Sequence, residues 1–319
     1  MAAVTAGVLN WAGKRVLVTG GAGFIGTQVV EALLKRGVAR SDIVVPRSAA
    51  CDLRVPQNCA DVVRGCAVVI HLAAPTGNIS FSRAHPASQY RDCALINLHM
   101  LEAARNAGVG KFVVLGNLLA YPAVADSPLR EASLQDGPVA PTHLGIGMAK
   151  REMVALAEMY FREYGLEVVN VISANAYGPG DRFDTAHAHV IPATISKCFR
   201  DEDLVVWGDG SPTRDFLFVD DIAEGILLAA ERLPAPGFVN IASGREISIA
   251  DLVRLIASLA GFRRRIEFDL SKGSGDPSRV ASTALASERI GFAPRVALRD
   301  GLAATIDWYR STLRGRTAA

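Results

Sequence analysis

Short apolar runs alternate with longer segments of helical periodicity through the first half of the chain. The first apolar run, residues 16–18, is rich in β-branched side chains, which suits a buried parallel strand. In residues 24–36, by contrast, the apolar residues fall on one side of a helix. A glycine-rich turn joins the two segments, so the chain opens with a strand, a tight turn and a helix.

The same alternation continues to residue 172. The predicted strands are 16–18, 43–45, 68–72, 111–115 and 167–172, and the predicted helices are 24–36, 56–64, 92–107 and 142–164. Such alternation gives a doubly wound parallel sheet with right-handed crossovers. We therefore predict an α/β fold of the Rossmann type.

The composition changes from about Tyr177 toward Gly, Pro and Asp, as in residues 177–181 and 207–212. Such loops are typical of ligand-facing surfaces. Further strands are predicted at 238–241 and 265–268, and further helices at 249–260 and 298–313. We predict a Rossmann domain over residues 1–175, with its core at 13–175, and a smaller α/β substrate lobe over 176–319. Some segments of that lobe are expected to return to the sheet.

The glycine turn has the spacing of a dinucleotide site. Gly21, Gly23 and Gly26 fit G-x-G-x-x-G, and Gly20, Gly23 and Gly26 fit G-x-x-G-x-x-G. Between a strand and a helix, such glycines let backbone N–H groups approach a pyrophosphate at the positive end of the helix. A purely structural turn is the alternative. The predicted contacts are Gly20, Gly23, Phe24, Ile25 and Gly26.

Charge and cysteine content narrow the class of protein. The net charge of +2 marks neither a nucleic-acid surface nor a membrane surface. The five cysteines form no C-x-x-C pair, which favours reduced thiols in the cytoplasm and gives no metal site. The N-terminus lacks a signal-peptide pattern, and no apolar run approaches the roughly 18 residues of a membrane span. We therefore expect a soluble cytoplasmic protein.

The end of the second predicted strand bears on the choice of cofactor. An NAD enzyme usually has an acidic residue there to hold the ribose 2′-hydroxyl, and this chain has none. Arg47 and Ser48 stand there instead, and an arginine pairs well with a 2′-phosphate. The sequence predicts NADP, with NAD as the less favoured choice. A solvated surface arginine is the alternative.

Several spaced motifs resemble the extended short-chain dehydrogenase/reductases. They are Thr-Gly-Gly-Ala-Gly-Phe-Ile-Gly at 19–26, His-Leu-Ala-Ala at 71–74, Asn-Ala-Tyr-Gly-Pro at 175–179, Trp-Gly-x-Gly-x-x-x-Arg-Asp-Phe at 207–216 and Val-Asp-Asp at 219–221. Within these enzymes, segments 115–122, 137–142 and 189–193 are most similar to the GDP-fucose synthase family. The resemblance covers nearly the whole chain.

The catalytic residues that this resemblance implies are only partly present. The family uses a serine and a Tyr-x-x-x-Lys pair, and its GDP-fucose synthase branch adds a cysteine and a histidine. Lys150 and His189 match the lysine and the histidine. Ile146 stands at the tyrosine position, Asn117 at the serine position and Leu119 at the cysteine position.

These replacements make the family's ordinary reaction doubtful. Reduction of a carbonyl needs a proton donor, and loss of a general acid typically costs about 10²–10⁴-fold in rate. Asn117 can donate a hydrogen bond but cannot titrate. Lys150, His189 and Asn117 are the catalytic candidates. His143 is a substitute acid or, alternatively, a helix-capping or surface residue.

The resemblance also implies binding residues in both halves. It places Asp52, Leu53, Leu72, Ala73, Ala74 and Lys150 on the cofactor. For these residues the alternatives are a helix cap at Asp52, core packing at 72–74 and a lysine that reaches solvent. It places Asn175, His189, Lys197, Trp207, Arg214 and Lys272 on a nucleotide sugar, with GDP as one choice of nucleotide. Solvated charges, a turn asparagine and a loop histidine are the alternatives there.

The resemblance implies an NADP(H)-dependent nucleotide-sugar epimerase or reductase with non-standard acid/base residues. A catalytically degenerate binding or regulatory protein is the alternative. Relatives pair through two long helices, so a homodimer with a four-helix interface is expected through 92–107 and 142–164.

Overall fold

The computed structural model of the chain describes residues 9–75, 77, 79–184, 188–200, 202–271 and 278–317. Its strands are Val16–Thr19 (β1), Ile43–Val44 (β2), Val68–His71 (β3), Lys111–Asn117 (β4), Val168–Ser173 (β5), Asn175–Tyr177 (β6), Leu204–Trp207 (β7), Thr213–Arg214 (β8), Phe216–Phe218 (β9), Gly237–Ile241 (β10), Ile247–Ser248 (β11), Ile266–Asp269 (β12) and Ser278–Arg279 (β13). Its helices are Phe24–Lys35 (α1), Pro56–Val63 (α2), Ile79–Ala84 (α3), Pro86–Asn106 (α4), Leu144–Tyr164 (α5), Val190–Cys198 (α6), Val219–Arg232 (α7), Ile249–Ala260 (α8), Ala284–Ile290 (α9) and Leu298–Thr317 (α10).

A six-stranded parallel sheet in the order β10-β5-β4-β3-β1-β2 forms the centre of the fold. Adjacent side chains of β1 point to opposite faces of this sheet. Val16 and Val18 belong to the core that includes α1 and α7, whereas Leu17 belongs to the core that includes α2, α4 and α5. Helices therefore cover both faces, which confirms the predicted Rossmann-type α/β fold.

The C-terminal half contributes both a strand and a helix to this layered core. β10 pairs with β5 at one edge of the sheet, and α7 packs against α1. Glu131 covers the outer side of β10, because its Oε1 accepts a hydrogen bond from the Asn240 backbone N–H at 2.8 Å. Tyr121 donates to the Asn240 side-chain oxygen at 2.8 Å. One outward N–H of this edge strand is thereby already satisfied within the chain.

The smaller lobe, which we define by α6, α8, α10 and the sheets β7–β12 and β11–β8–β13, comes from the C-terminal half of the chain. Its core contains Tyr177, Ile191, Phe216, Leu252 and Leu302. The two-stranded sheet β6–β9 lies where the chain passes from the large sheet to this lobe.

Most predicted elements lie within a few residues of the observed ones, but α4 begins at Pro86 rather than at residue 92. Its first turns bury Gln89, and farther along the helix buries Asn97. A helix with buried polar residues escapes a search for apolar periodicity. Among the described residues, no helix has the length and hydropathy needed to cross a membrane. The five cysteines are free thiols.

Candidate active site

The turn between β1 and α1 is built for close approach of a ligand. Gly20 has a φ of +69°, a conformation that favours glycine. A Cβ on Gly26 would overlap the carbonyl oxygen of Gly20, so only glycine fits. Gly23 is the N-cap residue of α1 and offers no side-chain cap. The first N–H groups of the helix, at Phe24, Ile25 and Gly26, have no intrahelical acceptor, which suits a pyrophosphate.

A buried polar chain supports the segment that follows β3. The Thr19 hydroxyl accepts hydrogen bonds from the N–H groups of Leu72 and Ala73, at 3.1 and 3.3 Å. It donates to His71 Nδ1 at 2.8 Å, and His71 Nε2 donates to Asn97 Oδ1 at 3.2 Å. Burial lowers the pKa of His71 to about 3. The imidazole is therefore neutral and serves as a fixed link between the sheet and α4.

The residues predicted to hold the adenosine end lie after β2. Arg47 and Ser48 are exposed, and the Arg47 side chain makes no hydrogen bond or ion pair with the described residues. Asp52 is bound by Arg54 at 2.8 Å, and the hydrogen bond from Arg54 lowers the pKa of Asp52 to about 2. The N-cap of α2 is Val55, so Asp52 does not cap that helix. The Leu53 side chain is buried in the core.

Lys150 on α5 is buried, with 6% of its surface exposed. Its Nζ donates to the backbone oxygen of Leu115 on β4 at 2.7 Å. Burial lowers the pKa of this ammonium group. A lysine that reaches solvent, the alternative for this position, is therefore wrong. An ammonium group has three N–H donors, and this contact uses one of them.

The positions that the resemblance assigns to a tyrosine and a cysteine lie in one apolar cluster. Ile146, which is 4% exposed, packs with Cys93 and Ala149, and Leu119 and Ala74 pack against them. Burial raises the pKa of the Cys93 thiol. The cluster therefore offers no group that ionises easily near neutral pH.

Asn117 closes β4 and begins a 3₁₀ turn at Leu118–Ala120. Its Oδ1 accepts the Leu119 N–H at 3.2 Å. The side chain thus shapes the backbone that carries Leu119, and its amide N–H groups can still donate to a ligand. We call residues 117–122 the 117–122 loop.

Two buried arginines that the sequence did not single out hold this loop. Arg151 donates from Nε to the Ala120 oxygen and from Nη1 to the Gly137 oxygen, both at 2.7 Å. Arg279, from the smaller lobe, donates to the Pro122 oxygen at 2.9 Å. No sequence motif marks an arginine that binds backbone carbonyls. The roles of Arg151 and Arg279 therefore could not be predicted from the sequence.

The two candidate histidines lie at helix N-termini. His143 ends the 3₁₀ turn Pro141–His143 and is the N-cap residue of α5, without a side-chain cap. His189 is the N-cap residue of α6 and is exposed; its ring makes no hydrogen bond with the described residues. Partial desolvation, and then the charge of Arg182, lower the pKa of His189.

The predicted substrate residues lie on the β6–β9 sheet and in the smaller lobe. Asn175 donates from Nδ2 to the Asp215 oxygen at 2.9 Å. Lys197 Nζ donates to the Val205 oxygen at 2.7 Å, which ties α6 to β7. Trp207, at the end of β7, is 61% exposed, and Arg214 lies on β8. Lys272 lies outside the described residues.

Comparisons with known proteins identify the family and the fold. Residues 16–242 match the NAD dependent epimerase/dehydratase family. GDP-L-fucose synthase 1 of Arabidopsis thaliana is 32% identical over 313 residues, which cover 95% of each chain. dTDP-4-dehydro-6-deoxy-D-allose reductase of Streptomyces bikiniensis is 32% identical, over 96% of this chain and 99% of the relative. A GDP-L-fucose synthetase structure from Naegleria fowleri, crystallised with NADP, shares the fold: the TM-score is 0.89 at 24% identity, over 98% of each chain.

Proposed function

The chain belongs to the NAD dependent epimerase/dehydratase family, and from this premise we propose that it binds NADP(H) and reduces or epimerises a nucleotide-activated sugar with non-standard acid/base residues. The preserved binding frame is the observation that carries the proposal. Gly26 has no Cβ, which lets the Gly20 carbonyl pack against the start of α1 and keeps the turn tight, and the ammonium group of Lys150 keeps two donors beyond its contact with Leu115. Burial of this charge costs desolvation free energy, and a chain that bound no ligand would gain nothing in return.

The residues present fit NADP(H). The Gly20–Gly26 turn holds the pyrophosphate, Arg47 and Ser48 the 2′-phosphate, and Lys150 the ribose hydroxyls of the nicotinamide half. When bound, the nicotinamide supplies or accepts a hydride. Asn117 donates a hydrogen bond to the substrate oxygen and holds it in place, but cannot protonate it.

Reduction is favoured over epimerisation. Epimerisation needs a group that moves a proton on and off carbon, and Leu119 stands where the related synthases have a cysteine. The relative from Streptomyces bikiniensis is named as a reductase, and it matches this chain at the same identity as the Arabidopsis synthase. The proton that reduction requires comes from water or from His189 under this proposal.

The substrate is a nucleoside diphosphate sugar. Lys197, Trp207 and Arg214 supply two cations and one aromatic face, which suit a diphosphate and a base. The relatives act on GDP-linked and dTDP-linked sugars by name, and we favour GDP. We also propose that the protein works in the cytoplasm, as the reduced thiols suggest.

A homodimer through α4 and α5 is part of the proposal. Leu144, Met148 and Met159 lie exposed on α5, at spacings that place them along one side of the helix. Tyr90 of α4 adjoins this stripe, because its hydroxyl donates to Glu152 at 3.2 Å. If a second copy packs its α4 and α5 against the same side of these helices, the three α5 side chains and Tyr90 are buried in a four-helix interface.

A second candidate is a binding or regulatory protein without turnover. The apolar cluster of Ile146, Leu119 and Ala74 favours it, since the one titratable group in that cluster is the Cys93 thiol, whose pKa is raised by burial. Ligand binding would then be retained and chemistry lost.

One experiment separates these functions. The protein is incubated with NADPH and a panel of GDP-, dTDP- and UDP-linked 4-keto sugars, and NADPH absorbance and product stereochemistry are followed. Turnover that Lys150→Met abolishes supports the enzyme. Binding of NADPH and nucleotide without turnover supports the second candidate. A protein that binds neither contradicts both.

A further inference from the structure

Arg279 lies on the same pair of strands as Arg214. β13 and β8 run parallel, and Arg279 is the register partner of Arg214. Asp215, the residue after Arg214, donates its N–H to the Arg279 oxygen at 3.3 Å. A displacement of β8 therefore carries the Arg279 backbone with it.

The guanidinium group of Arg279 reaches from the smaller lobe into the 117–122 loop. Its Nη1 lies 2.9 Å from the Pro122 oxygen, 3.4 Å from the Leu118 oxygen and 3.5 Å from the Tyr121 oxygen. Only 4% of the Arg279 surface is exposed. One buried cation is therefore directed at three carbonyls of the loop that carries Asn117 and Leu119.

Arg151 shows what a local anchor of this loop looks like. It lies next to Lys150 on α5, and it binds the Ala120 and Gly137 oxygens from within the first half of the chain. Arg279 binds the other side of the loop from a strand more than 150 positions away in sequence. The two arginines hold one loop, but only Arg279 links it to the strand pair of Arg214.

We propose that Arg279 is a positioning residue that couples nucleotide binding at Arg214 to the geometry of the 117–122 loop. The inference rests on the proposed function, because it needs a nucleotide diphosphate at Arg214. Binding there biases the position of β8, β13 follows through its register, and the guanidinium group transmits the change to the three carbonyls. The planar, multi-donor guanidinium suits this role, and a lysine ammonium does so less well.

The test is hydrogen exchange of the backbone amides in residues 117–123, with and without GDP, and with UDP and dTDP in parallel. The variants are Arg279→Met, Arg279→Lys and the matched control Arg263→Met, an exposed arginine of the same lobe. Nucleotide affinity is measured by calorimetry, and thermal melting confirms that each variant is folded.

In the unmodified protein we expect nucleotide binding to slow exchange in the loop by about fivefold or more, the lower end of typical coupling between sites. Arg279→Met should bind the nucleotide with an affinity within about threefold of the unmodified protein, yet lose this protection. Arg279→Lys should retain part of it, and Arg263→Met all of it. A merely structural role would alter basal exchange without altering the response to nucleotide.

The failures are distinguishable. If the unmodified protein binds none of the three nucleotides, both the proposed function and this coupling are wrong. If it binds one and either the loop does not respond or Arg279→Met responds like the unmodified protein, only the role of Arg279 is wrong. Should Arg279→Met not fold, Arg279→Lys decides: a response equal to that of the unmodified protein overturns the proposal.

Discussion

Ile146 and Leu119 belong to one apolar cluster, at the positions where the resemblance places a phenol and a thiol. The shared cluster gives a physical reason for both residues to be apolar. A single polar side chain would be buried without a partner in this cluster, at a cost of about 1–3 kcal/mol. Two apolar side chains that pack together avoid that cost. The same packing means that a restored tyrosine needs room.

Restoration of the missing groups should revive ketone reduction. In the variant Asn117→Ser, Leu119→Ala, Ile146→Tyr, the phenol lies one helical turn from Lys150, whose charge lowers the phenol pKa. We expect NADPH oxidation with a 4-keto sugar to rise by about 10²-fold over the unmodified protein, without epimerisation.

The matched control carries Ile146→Phe with the same two companion substitutions, since phenylalanine has the shape of tyrosine without its proton. Equal rates for the phenylalanine and tyrosine variants would show that the phenol is not the missing element. A drop in activity with tyrosine would instead show that the natural chemistry needs the apolar cluster.

Arg47 should set the cofactor preference. Its side chain is exposed and unpartnered among the described residues, so a 2′-phosphate is free to engage it. A charge-assisted hydrogen bond contributes about 1.5–3 kcal/mol, so Arg47→Ala should weaken NADPH binding by roughly 10–100-fold and leave NADH unchanged. Arg64→Ala, which removes an exposed arginine of the same half, is the control. Equal affinity of the unmodified protein for NADPH and NADH would refute the assignment.

Burial of His71 should make the fold sensitive to acid. Its folded pKa of about 3 lies below the unfolded value of about 6.5, so the unfolded chain takes up the proton first. Above about pH 6.5 this proton does not affect the free energy of unfolding. As the pH falls from there toward 3, the free energy of unfolding decreases by up to about 1.4 kcal/mol per pH unit for this one proton. Denaturant unfolding between pH 4.5 and 8 measures it.

His71→Gln removes the titrating group and keeps hydrogen-bonding atoms near Thr19 and Asn97. Its unfolding free energy should depend less steeply on pH than that of the unmodified protein. His85→Gln, at an exposed histidine, should leave the slope as it is. Parallel curves for all three proteins would contradict the assignment to His71.

The exposed stripe on α5 should hold two copies together. Met148 and Met159 are 41% and 57% exposed, and lysines in their place would set like charges against each other across the interface. We expect Met148→Lys with Met159→Lys to convert a dimer into a monomer in light scattering at micromolar concentration. Val124→Lys, at a 91% exposed position on a loop, should leave the dimer intact. A monomeric unmodified protein would count against the interface.

Element by element, the sequence predicts best where burial is apolar and local. The helix predicted at 249–260 is observed with those bounds, because its apolar face is continuous and Ser248 caps it. The sequence does not predict the first turns of α4, before residue 92, because the buried residue there is the polar Gln89. Strands such as β8 and β13 have two residues each, too few for any periodicity, and they form only because the tertiary fold places them together.

The residues of the candidate site also differ in how well the sequence predicts them. The glycine turn and Lys150 can be predicted, because each is recognised from spacing along one or two elements. Arg279 binds a loop more than 150 positions away, and Arg151 is a helix residue whose backbone acceptors have no sequence signature. Contacts of that kind depend on how the loop packs against α5 and against the smaller lobe, which local sequence patterns do not encode.

Ligands should stabilise the whole protein, because the proposed site takes residues from both halves of the chain. At 100 times its Kd, NADPH adds about 2.7 kcal/mol, or roughly 3–6 °C in Tm for a chain of this size. Gly26→Ala, whose Cβ overlaps Gly20, should lose most of that shift relative to its own unliganded Tm. Thermal melting with NADPH, NADH and GDP measures each contribution. No shift in the unmodified protein at millimolar NADPH would speak against a cofactor site.

The last strand of the central sheet has a consequence for synthesis. Between β5 and β10 the chain first forms six other elements, which are β6, α6, β7, β8, β9 and α7. A nascent chain emerging from the ribosome therefore presents an uncovered α1 face until α7 is released, and an unpaired β5 edge until residue 241 is released. Open strand edges invite pairing with other chains, and such long closures are slow. That interval is when a chaperone would engage this protein, and a fragment ending near residue 175 would remain in it permanently.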